Sequence, residues 1–468
     1  MEPKGRQKTV YVCQQCGRES SRWLGRCPGC DQWNSMVETG VAAPAAASSR
    51  RNHTQNKPVE LSSISFETAD RLVLSFNEMN RVLGGGLVPG SLVLIAGDPG
   101  IGKSTLLLQI CGRVAREKGK ALYVSGEESA QQLKLRAGRL GIDGKGLYLL
   151  PETDLENIVA HIQDLAPPLV IVDSIQTISA DGAAGMAGSI SQVRECTLRL
   201  MEVAKSRNQA IIIAGHVTKE GAIAGPKTLE HMVDAVLYLE GEPFSSYRIL
   251  RGVKNRFGST NEVGLFEMRS QGLVEVDNPS LAFISQRPAE TVGSVIIPSL
   301  EGTRPLLVEV QSLTNPTPFG NPRRTANGVD FNRLLLIAAV LSRRAGIALS
   351  NQDILVNVTG GLTVSEPAAD LGIALAIASS FRNSPVDPKL VAVGEIGLSG
   401  ELRNVPQLER RLGEAARLGF ERCLVPKASL AGLKVKDIKL IPVENLREAF
   451  RIALPRTKDD SKIERLED

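Results

Sequence analysis

The 468-residue sequence predicts an α/β protein with a largely parallel central sheet, a small metal-binding module before it and an α+β domain after it. Three observations lead to this prediction. Four cysteines cluster near the N-terminus, a glycine-rich loop joins an apolar strand to a helix, and apolar strands alternate with helical stretches through the middle of the chain. At about 150 residues per domain, the length fits roughly three domains.

The composition is that of a globular protein, with 42% hydrophobic, 23% charged and 4% aromatic residues. No apolar run of about 18 residues or more occurs, and the first residues lack the apolar core of a signal peptide. We therefore expect a cytoplasmic protein with no membrane partner. The formal net charge of +4 is too small to predict nucleic-acid binding or to exclude it.

Shifts in composition predict the domain boundaries. Residues 8–40 form a cysteine-rich unit, and residues 41–60, rich in Ala, Ser and Asn, form a linker. The α/β region covers residues 61–280 and the α+β region residues 289–455, while residues 456–468 form a charged tail. We expect no order in that tail.

Apolar strands define the α/β region. The clearest ones are Leu92–Ala96, Ala121–Val124, Leu169–Val172, Ala210–Ala214 and Ala235–Leu239. Near-continuous apolar strands separated by helices indicate a parallel sheet covered on both faces. In the α+β region we expect strands at Gly293–Ile297, Leu306–Val310 and Val391–Ile396, and helices at Phe331–Arg344, Ala368–Ser379 and Leu408–Leu418.

The cysteine-rich unit has the spacing of a metal site. Its cysteines form two CxxC pairs separated by ten residues: Cys13, Cys16, Cys27 and Cys30. Two such pairs supply a tetrahedral set of four thiolates, which suits structural zinc, and a redox dithiol pair is a much weaker alternative. We expect Trp23 and Trp33 to pack over this site rather than to stack on nucleic-acid bases.

The glycine-rich loop lies between the strand Leu92–Ala96 and an apolar helix expected from Leu106 to about Val114. It consists of Gly97, Asp98, Pro99, Gly100, Ile101, Gly102, Lys103, Ser104 and Thr105. This is the G-x4-G-K-S pattern in its required strand-to-helix context, so backbone amides and the helix N-terminus should bind the phosphates of ATP. Lys103 should contact the β- and γ-phosphates, and Ser104 should join the Mg²⁺ shell.

Acidic and polar residues follow three of the other predicted strands. Asp173 ends a hydrophobic strand and can hold hydrated Mg²⁺. Because Ser174 rather than a glutamate follows it, the carboxylate that orients the attacking water must come from elsewhere, and we favour Glu127 with Glu128 as the alternative. His216 ends a further strand, where it could sense the γ-phosphate or could be an ordinary surface histidine.

Two further cations lie in the segment KNRFG. Lys254 and Arg256 are two positions apart, on one face of a predicted extended strand. They could neutralise phosphate charge in their own chain or in a neighbouring subunit. From the chemistry alone, a solvated edge strand is equally consistent.

The segments CQQC…CPGC, LGGGLVPGSLVLIAGDPGIGKST, VDSIQT and KNRFG together resemble the bacterial RadA (Sms) family of recombination proteins. The resemblance covers essentially the whole chain. Its central region is similar to RecA-family ATPases and to DnaB-type hexameric helicases, and its last region resembles the C-terminal domain of Lon protease. The resemblance implies a homo-hexameric ring ATPase that acts on single-stranded and branched DNA with a RecA-type recombinase.

The resemblance also implies roles for individual residues. Lys103 and Ser104 match the phosphate and Mg²⁺ positions, Asp173 the second acidic position and Glu127 the glutamate base. His216 matches a γ-phosphate-sensing polar residue, and the KNRFG cations are similar to those that act across RecA-type subunit interfaces.

The Lon-like region departs from the protease pattern. Ala368 stands where the protease has its serine, and Glu409 where it has its lysine. Without a nucleophile or its base, acyl transfer has no mechanism, so we interpret this region as a non-catalytic scaffold for assembly.

The leading hypothesis is therefore a DNA-dependent ATPase, a helicase or translocase that promotes branch migration in homologous recombination and repair. A signalling ATPase of the KaiC type is the alternative, since LGGGLVPGS alone would serve it equally well. An ATP-dependent protease is disfavoured by Ala368.

Overall fold

The computed structural model describes most of the chain, and it divides the chain into two compact units. The described residues are 9–13, 18–40, 60–63, 71–216, 226–242, 245–284, 291–317, 320–430, 433 and 435–454. The first unit comprises Met1–Glu240 and Arg248–Glu275, and the second comprises Gly241–Tyr247 and Val276–Asp468. Cys16, residues 41–59 of the predicted linker and the predicted tail lie outside the described residues.

The N-terminal part of the first unit is a small antiparallel sheet. Its strands are β1 (Thr9–Cys13), β2 (Glu19–Ser20) and β3 (Met36–Gly40), in the order β2-β1-β3. Among the residues that the structure describes here, its hydrophobic core consists of the buried Cys13, Cys27 and Met36. A core of this size supplies little stability, so a bound metal would contribute directly to folding.

The two tryptophans lie at the surface of this module. Trp23 is 53% exposed and Trp33 is 70% exposed. Both rings lie beside Gly25, where an added Cβ would be 3.5 Å from Trp23 and 3.9 Å from Trp33.

The rest of the first unit is a nine-stranded sheet with helices on both faces. Its strands are β4 (Leu92–Gly97), β5 (Ala121–Ser125), β6 (Leu147–Pro151), β7 (Leu169–Asp173), β8 (Ala210–His216), β9 (Ala235–Glu240), β10 (Tyr247–Asn255), β11 (Val263–Arg269) and β12 (Gly272–Glu275). Its helices are α1 (Asn77–Leu83), α2 (Lys103–Lys118), α3 (Ala130–Arg139), α4 (Leu155–Leu165) and α5 (Ile190–Arg207).

The strand order is β12-β11-β10-β9-β4-β8-β7-β5-β6. The six strands from β9 to β6 in this order are parallel, and β10 runs antiparallel to β9. Successive residues of β4 enter two different cores, Val93 and Ile95 on one face and Leu92 and Leu94 on the other. This burial on both faces explains the continuous apolar strands and confirms the predicted parallel α/β core.

The second unit is built on a seven-stranded mixed sheet of order β15-β16-β14-β13-β17-β20-β21, with a separate β18-β19 pair. Its strands are β13 (Ser294–Glu301), β14 (Arg304–Pro316), β15 (Arg324–Asn327), β16 (Gln352–Val358), β17 (Leu390–Ala392), β18 (Glu395–Ile396), β19 (Leu402–Arg403), β20 (Arg422–Pro426) and β21 (Lys439–Val443). Its helices are α6 (Pro279–Ile284), α7 (Phe331–Arg344), α8 (Asp370–Arg382), α9 (Leu408–Arg417) and α10 (Leu446–Ala453).

Three predicted elements have different limits in the structure. The helix after the glycine-rich loop begins at Lys103, within the loop motif itself, and ends at Lys118. The helix expected at Ala368–Ser379 begins as a 3₁₀ turn at Pro367–Ala369 and becomes α8 only at Asp370. The single strand expected at Val391–Ile396 is two strands, β17 and β18, which belong to different sheets.

Among the described residues, no helix combines the length and the apolarity needed to cross a bilayer.

Candidate active site

The phosphate loop and the predicted residues Glu127, Asp173 and His216 meet at one edge of the nine-stranded sheet. The carboxyl ends of β4 and β8 are paired through Gly97 and His216. The carboxyl ends of β5 and β7 are paired through Ser125 and Asp173. Since these four strands are parallel neighbours, the loops that follow them share this edge, where open α/β sheets bind ligands.

Two glycines of the phosphate loop could not be replaced without moving other groups. A Cβ on Gly97 would lie 2.4 Å from the carbonyl oxygen of Leu239. Gly102 has φ +114°, and a Cβ there would lie 2.6 Å from the Cε of Met268. The loop therefore needs glycine both for its backbone conformation and for its close approach to the sheet.

Lys103 is the first residue of α2 and is 3% exposed. Its Nζ donates to the carbonyl oxygens of Gly97, at 2.8 Å, and Asp98, at 3.0 Å. Burial lowers the pKa of Lys103, and the negative charges of Asp173, Asp98 and Glu127 oppose that shift. The ammonium group thus lies within the electrostatic reach of three carboxylates at the phosphate loop.

Asp173 is 6% exposed, and its Oδ2 accepts a hydrogen bond of 2.5 Å from the hydroxyl of Tyr123. Burial, reinforced by the Asp173 carboxylate, raises the pKa of Tyr123 well above its usual value. The hydroxyl therefore stays protonated and remains a donor. The donor fixes one carboxylate oxygen of Asp173 and leaves the other for a further partner.

Glu127 and Glu128 follow β5 and have different partners. Oε1 of Glu127 accepts from the hydroxyl of Ser174 at 2.8 Å, and its side chain is 49% exposed. Glu128 instead forms an ion pair of 2.7 Å with Arg136 of α3. The geometry therefore brings Glu127 to the shared edge and ties Glu128 to a neighbouring helix.

His216 lies at the end of β8, as expected, and contacts Glu127. The distance between Nε2 of His216 and Oε1 of Glu127 is 3.4 Å. The carbonyl oxygen of His216 also accepts a 3.4 Å hydrogen bond from the side chain of Gln176. Most of the glycine-rich segment that follows, residues 217–225, lies outside the described residues.

Lys254 and Arg256 lie at the opposite edge of the sheet. Asn255, the last residue of β10, pairs with Ala235 of β9, which in turn pairs with Val93 near the start of β4. Arg256 lies just beyond the strand, so the expected single strand face for both cations is wrong. From Leu92 to Gly97, β4 covers about 17 Å, at about 3.3 Å per residue.

Both cations are bound to the same short segment of their own chain. Nζ of Lys254 donates to the carbonyl oxygens of Glu230, at 2.7 Å, and Val233, at 2.9 Å. The Arg256 guanidinium donates to Asp234 at 3.1 Å, and the other carboxylate oxygen of Asp234 accepts from the amide of Leu92. They are thus held at the amino end of β4, far from the phosphate loop at its carboxyl end.

The N-terminal sheet brings three of the predicted zinc ligands together. The Sγ atoms of Cys13, Cys27 and Cys30 all lie within 4.8 Å of one another, and those of Cys13 and Cys30 are 3.6 Å apart. Two thiolates on one tetrahedral zinc, each at about 2.3 Å, would be about 3.8 Å apart, so the cluster fits the ion. The backbone amide of Gly29 donates to the sulfur of Cys27 at 3.3 Å, as expected for a metal-bound thiolate knuckle.

Comparison with curated proteins gives full-length relatives. DNA repair protein RadA of Halalkalibacterium halodurans is 54% identical over 456 residues, which cover 96% of this chain and all of the relative. The protein of the same name from Bacillus subtilis is 54% identical over 96% of this chain and 99% of the relative. The one from Listeria monocytogenes is 51% identical over 97% of this chain and 99% of the relative.

The chain belongs to the RadA family of DNA repair proteins.

Family models match three parts of this RadA-family chain. A rubredoxin metal binding domain matches residues 11–38, an AAA domain matches residues 55–222, and the subunit ChlI of Mg-chelatase matches residues 329–429. Together with the structure, these matches confirm the predicted architecture of zinc ribbon, α/β ATPase core and Lon-like C-terminal region. The chain is an ATPase with a nucleotide site.

In the Lon-like region of this RadA-family member, the position predicted to match the protease serine is buried. Ala368 is 4% exposed and belongs to the hydrophobic core of the second unit. Glu409, at the lysine position, is in the first turn of α9 with its side chain exposed. Glu366, two residues before Ala368, has a partly buried carboxylate that is ion-paired with Arg411.

Sequence reasoning did not identify Tyr123 or Ser174 as site residues, although the structure places both against predicted ones. The sequence contains a feature that could have drawn attention to each of them. Tyr123 is the one aromatic residue in the apolar strand before Glu127, and Ser174 directly follows the acid that ends the neighbouring strand. Neither motif spacing nor composition shows that these hydroxyls point at Asp173 and Glu127.

Proposed function

We propose that this chain is an ATP-driven DNA motor that acts in homologous recombination and promotes branch migration of recombination intermediates. One observation carries the proposal most strongly. The phosphate loop and its acidic partners lie at one sheet edge, while the two KNRFG cations lie at the other edge of the same chain. A site that needs both must be completed by a neighbouring subunit, as in a ring-shaped motor.

The proposed nucleotide site uses the loop residues 97–105. Backbone amides of the loop and the N-terminus of α2 bind the phosphates, and Lys103 balances their negative charge. Its two present acceptors are backbone carbonyl oxygens of the loop, so its Nζ can turn from these to the phosphate oxygens. Ser104 and Asp173 would hold Mg²⁺, which when bound neutralises charge that develops on the phosphates.

Glu127 is the proposed base, and His216 the proposed sensor. The carboxylate of Glu127 would orient the attacking water and accept its proton. Because His216 lies 3.4 Å from that carboxylate, a displacement of His216 would reach the base directly. Through this contact, DNA binding that moves His216 would change the position of Glu127 and with it the rate of hydrolysis.

Lys254 and Arg256 would act on the ATP of the adjacent subunit. Burial and the neighbouring Arg256 charge lower the pKa of Lys254, so a further anion at this place is favourable for both cations. Asp234 holds the guanidinium of Arg256 at the surface, where its side chain is 50% exposed. The ring would be a homo-hexamer around single-stranded DNA, with a RecA-type recombinase as partner on branched DNA.

The domain limits belong to the same proposal: a zinc module at residues 8–40, a linker at 41–60, an ATPase domain at 61–280 and a Lon-like scaffold at 289–455. The Lon-like scaffold would support ring assembly, and the zinc module would couple the motor to DNA or to its partner protein.

The decisive test is steady-state ATP hydrolysis with and without single-stranded DNA, at fixed salt because phosphate contacts are screened. The motor predicts stimulation by DNA that is absent in Lys103→Ala and retained in the matched control Lys118→Ala, a lysine exposed at the end of α2. Hydrolysis indifferent to DNA would contradict the motor and favour a signalling ATPase of the KaiC type.

A further inference from the structure

The hydroxyl of Ser174 contacts the proposed base across two neighbouring strands. Ser174 directly follows β7, is 0% exposed, and donates from Oγ to Oε1 of Glu127 at 2.8 Å. Glu127 follows β5, and these two strands are paired at their carboxyl ends. A fully buried hydroxyl that donates to a half-exposed carboxylate is a fixed anchor for that side chain.

Two groups hold the same oxygen of Glu127. Besides the Ser174 hydroxyl, Nε2 of His216 lies 3.4 Å from Oε1. The second oxygen, Oε2, is left for another partner. A glutamate side chain has three rotatable bonds, so contacts are needed to hold its carboxylate in one position. The reaction is faster when a catalytic group is already in its reactive position.

The backbone around Ser174 is held by other contacts. The amide of Gly126 donates to the carbonyl oxygen of Asp173 at 3.1 Å, and Oγ1 of Thr177 donates to the carbonyl oxygen of Ser174 at 2.8 Å. The Oγ of Ser174 takes part in neither bond. Removal of this one atom should therefore leave the path of the chain unchanged and affect mainly the carboxylate of Glu127.

We propose that Ser174 is a positioning residue for ATP hydrolysis, which fixes the Glu127 carboxylate so that its free oxygen faces the attacking water. This inference deepens the proposed function, because it rests on Glu127 as the base. It does not depend on DNA as the activator, since the contact lies within one subunit. A protein that hydrolyses ATP without any response to DNA would contradict the motor and leave this inference testable.

The test measures full-length Ser174→Ala by two separate readouts, kcat for ATP and the affinity for a fluorescent ATP analogue with Mg²⁺. We expect kcat to fall roughly tenfold, the effect of losing about 1.4 kcal/mol of orientation, while the nucleotide affinity stays within about twofold of the unmodified protein. Thr177→Val is the matched control, because it removes a neighbouring hydroxyl that contacts the Ser174 backbone but not Glu127.

A double-mutant cycle with Glu127→Gln separates positioning from a merely structural role. If Ser174 acts through Glu127, Ser174→Ala should not lower the residual hydrolysis of Glu127→Gln any further. Three results would overturn the inference: equal loss in both backgrounds, a loss of nucleotide affinity as large as the loss of kcat, or the same effect in Thr177→Val. Full activity of Glu127→Gln would overturn it together with the base assignment.

Discussion

Arg411 and Glu366 form a paired ion contact in the second unit, with Nη1–Oε1 and Nη2–Oε2 distances of 2.7 and 2.5 Å. The Arg411 side chain is fully buried, and it also donates to the carbonyl oxygen of Pro298 at 2.7 Å. Glu366 lies two residues before Ala368. A charge pair that is fully buried at Arg411 and partly buried at Glu366 therefore lies close in the chain to Ala368, the position predicted for a Lon-type serine.

The surroundings of Ala368 and the residue at position 409 predict that one substitution cannot restore proteolytic activity. A serine at position 368 would be buried among apolar side chains, and no lysine stands at position 409 to accept its proton. We expect Ala368→Ser to leave casein intact in the presence of ATP and Mg²⁺, with an active serine protease as the positive control. Cleavage by Ala368→Ser would show that the scaffold interpretation is wrong.

If Asp173 holds Mg²⁺ as proposed, the hydrogen bond from Tyr123 should affect how strongly it does so. Without the 2.5 Å hydrogen bond, the buried Asp173 carboxylate loses its neutral donor and its fixed orientation. A hydrogen bond to a charged group contributes about 1.5–3 kcal/mol, so in Tyr123→Phe we expect half-maximal hydrolysis to need roughly 10- to 100-fold more Mg²⁺. Tyr148→Phe, at a half-exposed tyrosine on β6, is the control. If Tyr123→Phe needs no more Mg²⁺ than the unmodified protein, the orientation of Asp173 by Tyr123 does not contribute to Mg²⁺ binding.

The sequence predicted the sheet well because its strands are buried on both faces. The predicted strand Ala121–Val124 differs from β5 by one residue, and Phe331–Arg344 has the limits of α7. Contacts between distant residues could not be predicted in this way. Glu127 and Glu128 differ in their partners, which are Ser174 for the first and Arg136 for the second. These contacts are set by the packing of β7 and α3 and not by the spacing of residues in the sequence. The position of Arg256 opposite the phosphate loop likewise follows from the antiparallel register of β10.

Lys103 predicts a pH dependence of nucleotide affinity. In the protein without nucleotide, burial lowers the pKa of Lys103 below the ordinary lysine value of 10.5. Bound phosphates have the opposite effect, because they favour the charged ammonium form. Above the lowered pKa, binding must take up a proton, so affinity should fall by up to about tenfold per pH unit, and the fall should begin below the pH at which an ordinary lysine titrates.

The affinity of a fluorescent ATP analogue, measured from pH 7 upward, checks this dependence. Lys103→Arg is the control, because a guanidinium stays protonated over that range and its affinity curve should be flat by comparison. Parallel curves for the two proteins would assign the pH dependence to another group.

The cysteine cluster predicts that Cys27→Ala releases zinc. Cys27 is fully buried in a module whose core has few other residues, so loss of the ion should unfold the ribbon and leave the ATPase core intact. Metal analysis should show one equivalent of zinc in the unmodified protein and none in Cys27→Ala. Cys196→Ala, at a buried cysteine of α5 outside the cluster, should keep its zinc. Full retention of zinc by Cys27→Ala would show that the ligand set is wrong.

In the proposed ring, the opposite placement of Lys103 and Arg256 predicts complementation between subunits. Lys103→Ala should inactivate the site of its own subunit, and Arg256→Ala should inactivate the site of its neighbour. In rings formed from equal amounts of both variants, an interface is active when an intact phosphate loop meets an intact Arg256. This holds for about a quarter of interfaces in a ring with head-to-tail contacts.

Co-expressed mixtures of the two variants should therefore recover about a quarter of the unmodified ATPase activity, although each variant alone is inactive. A mixture of Lys103→Ala with Glu127→Gln is the matched control, because both changes affect the same side of the interface and every site lacks one group. Retained binding of a fluorescent ATP analogue by Arg256→Ala would show that its phosphate loop is intact despite the lost contact with Asp234. If the first mixture is no more active than its separate components, Arg256 does not act across subunits, and the ring mechanism loses its main support.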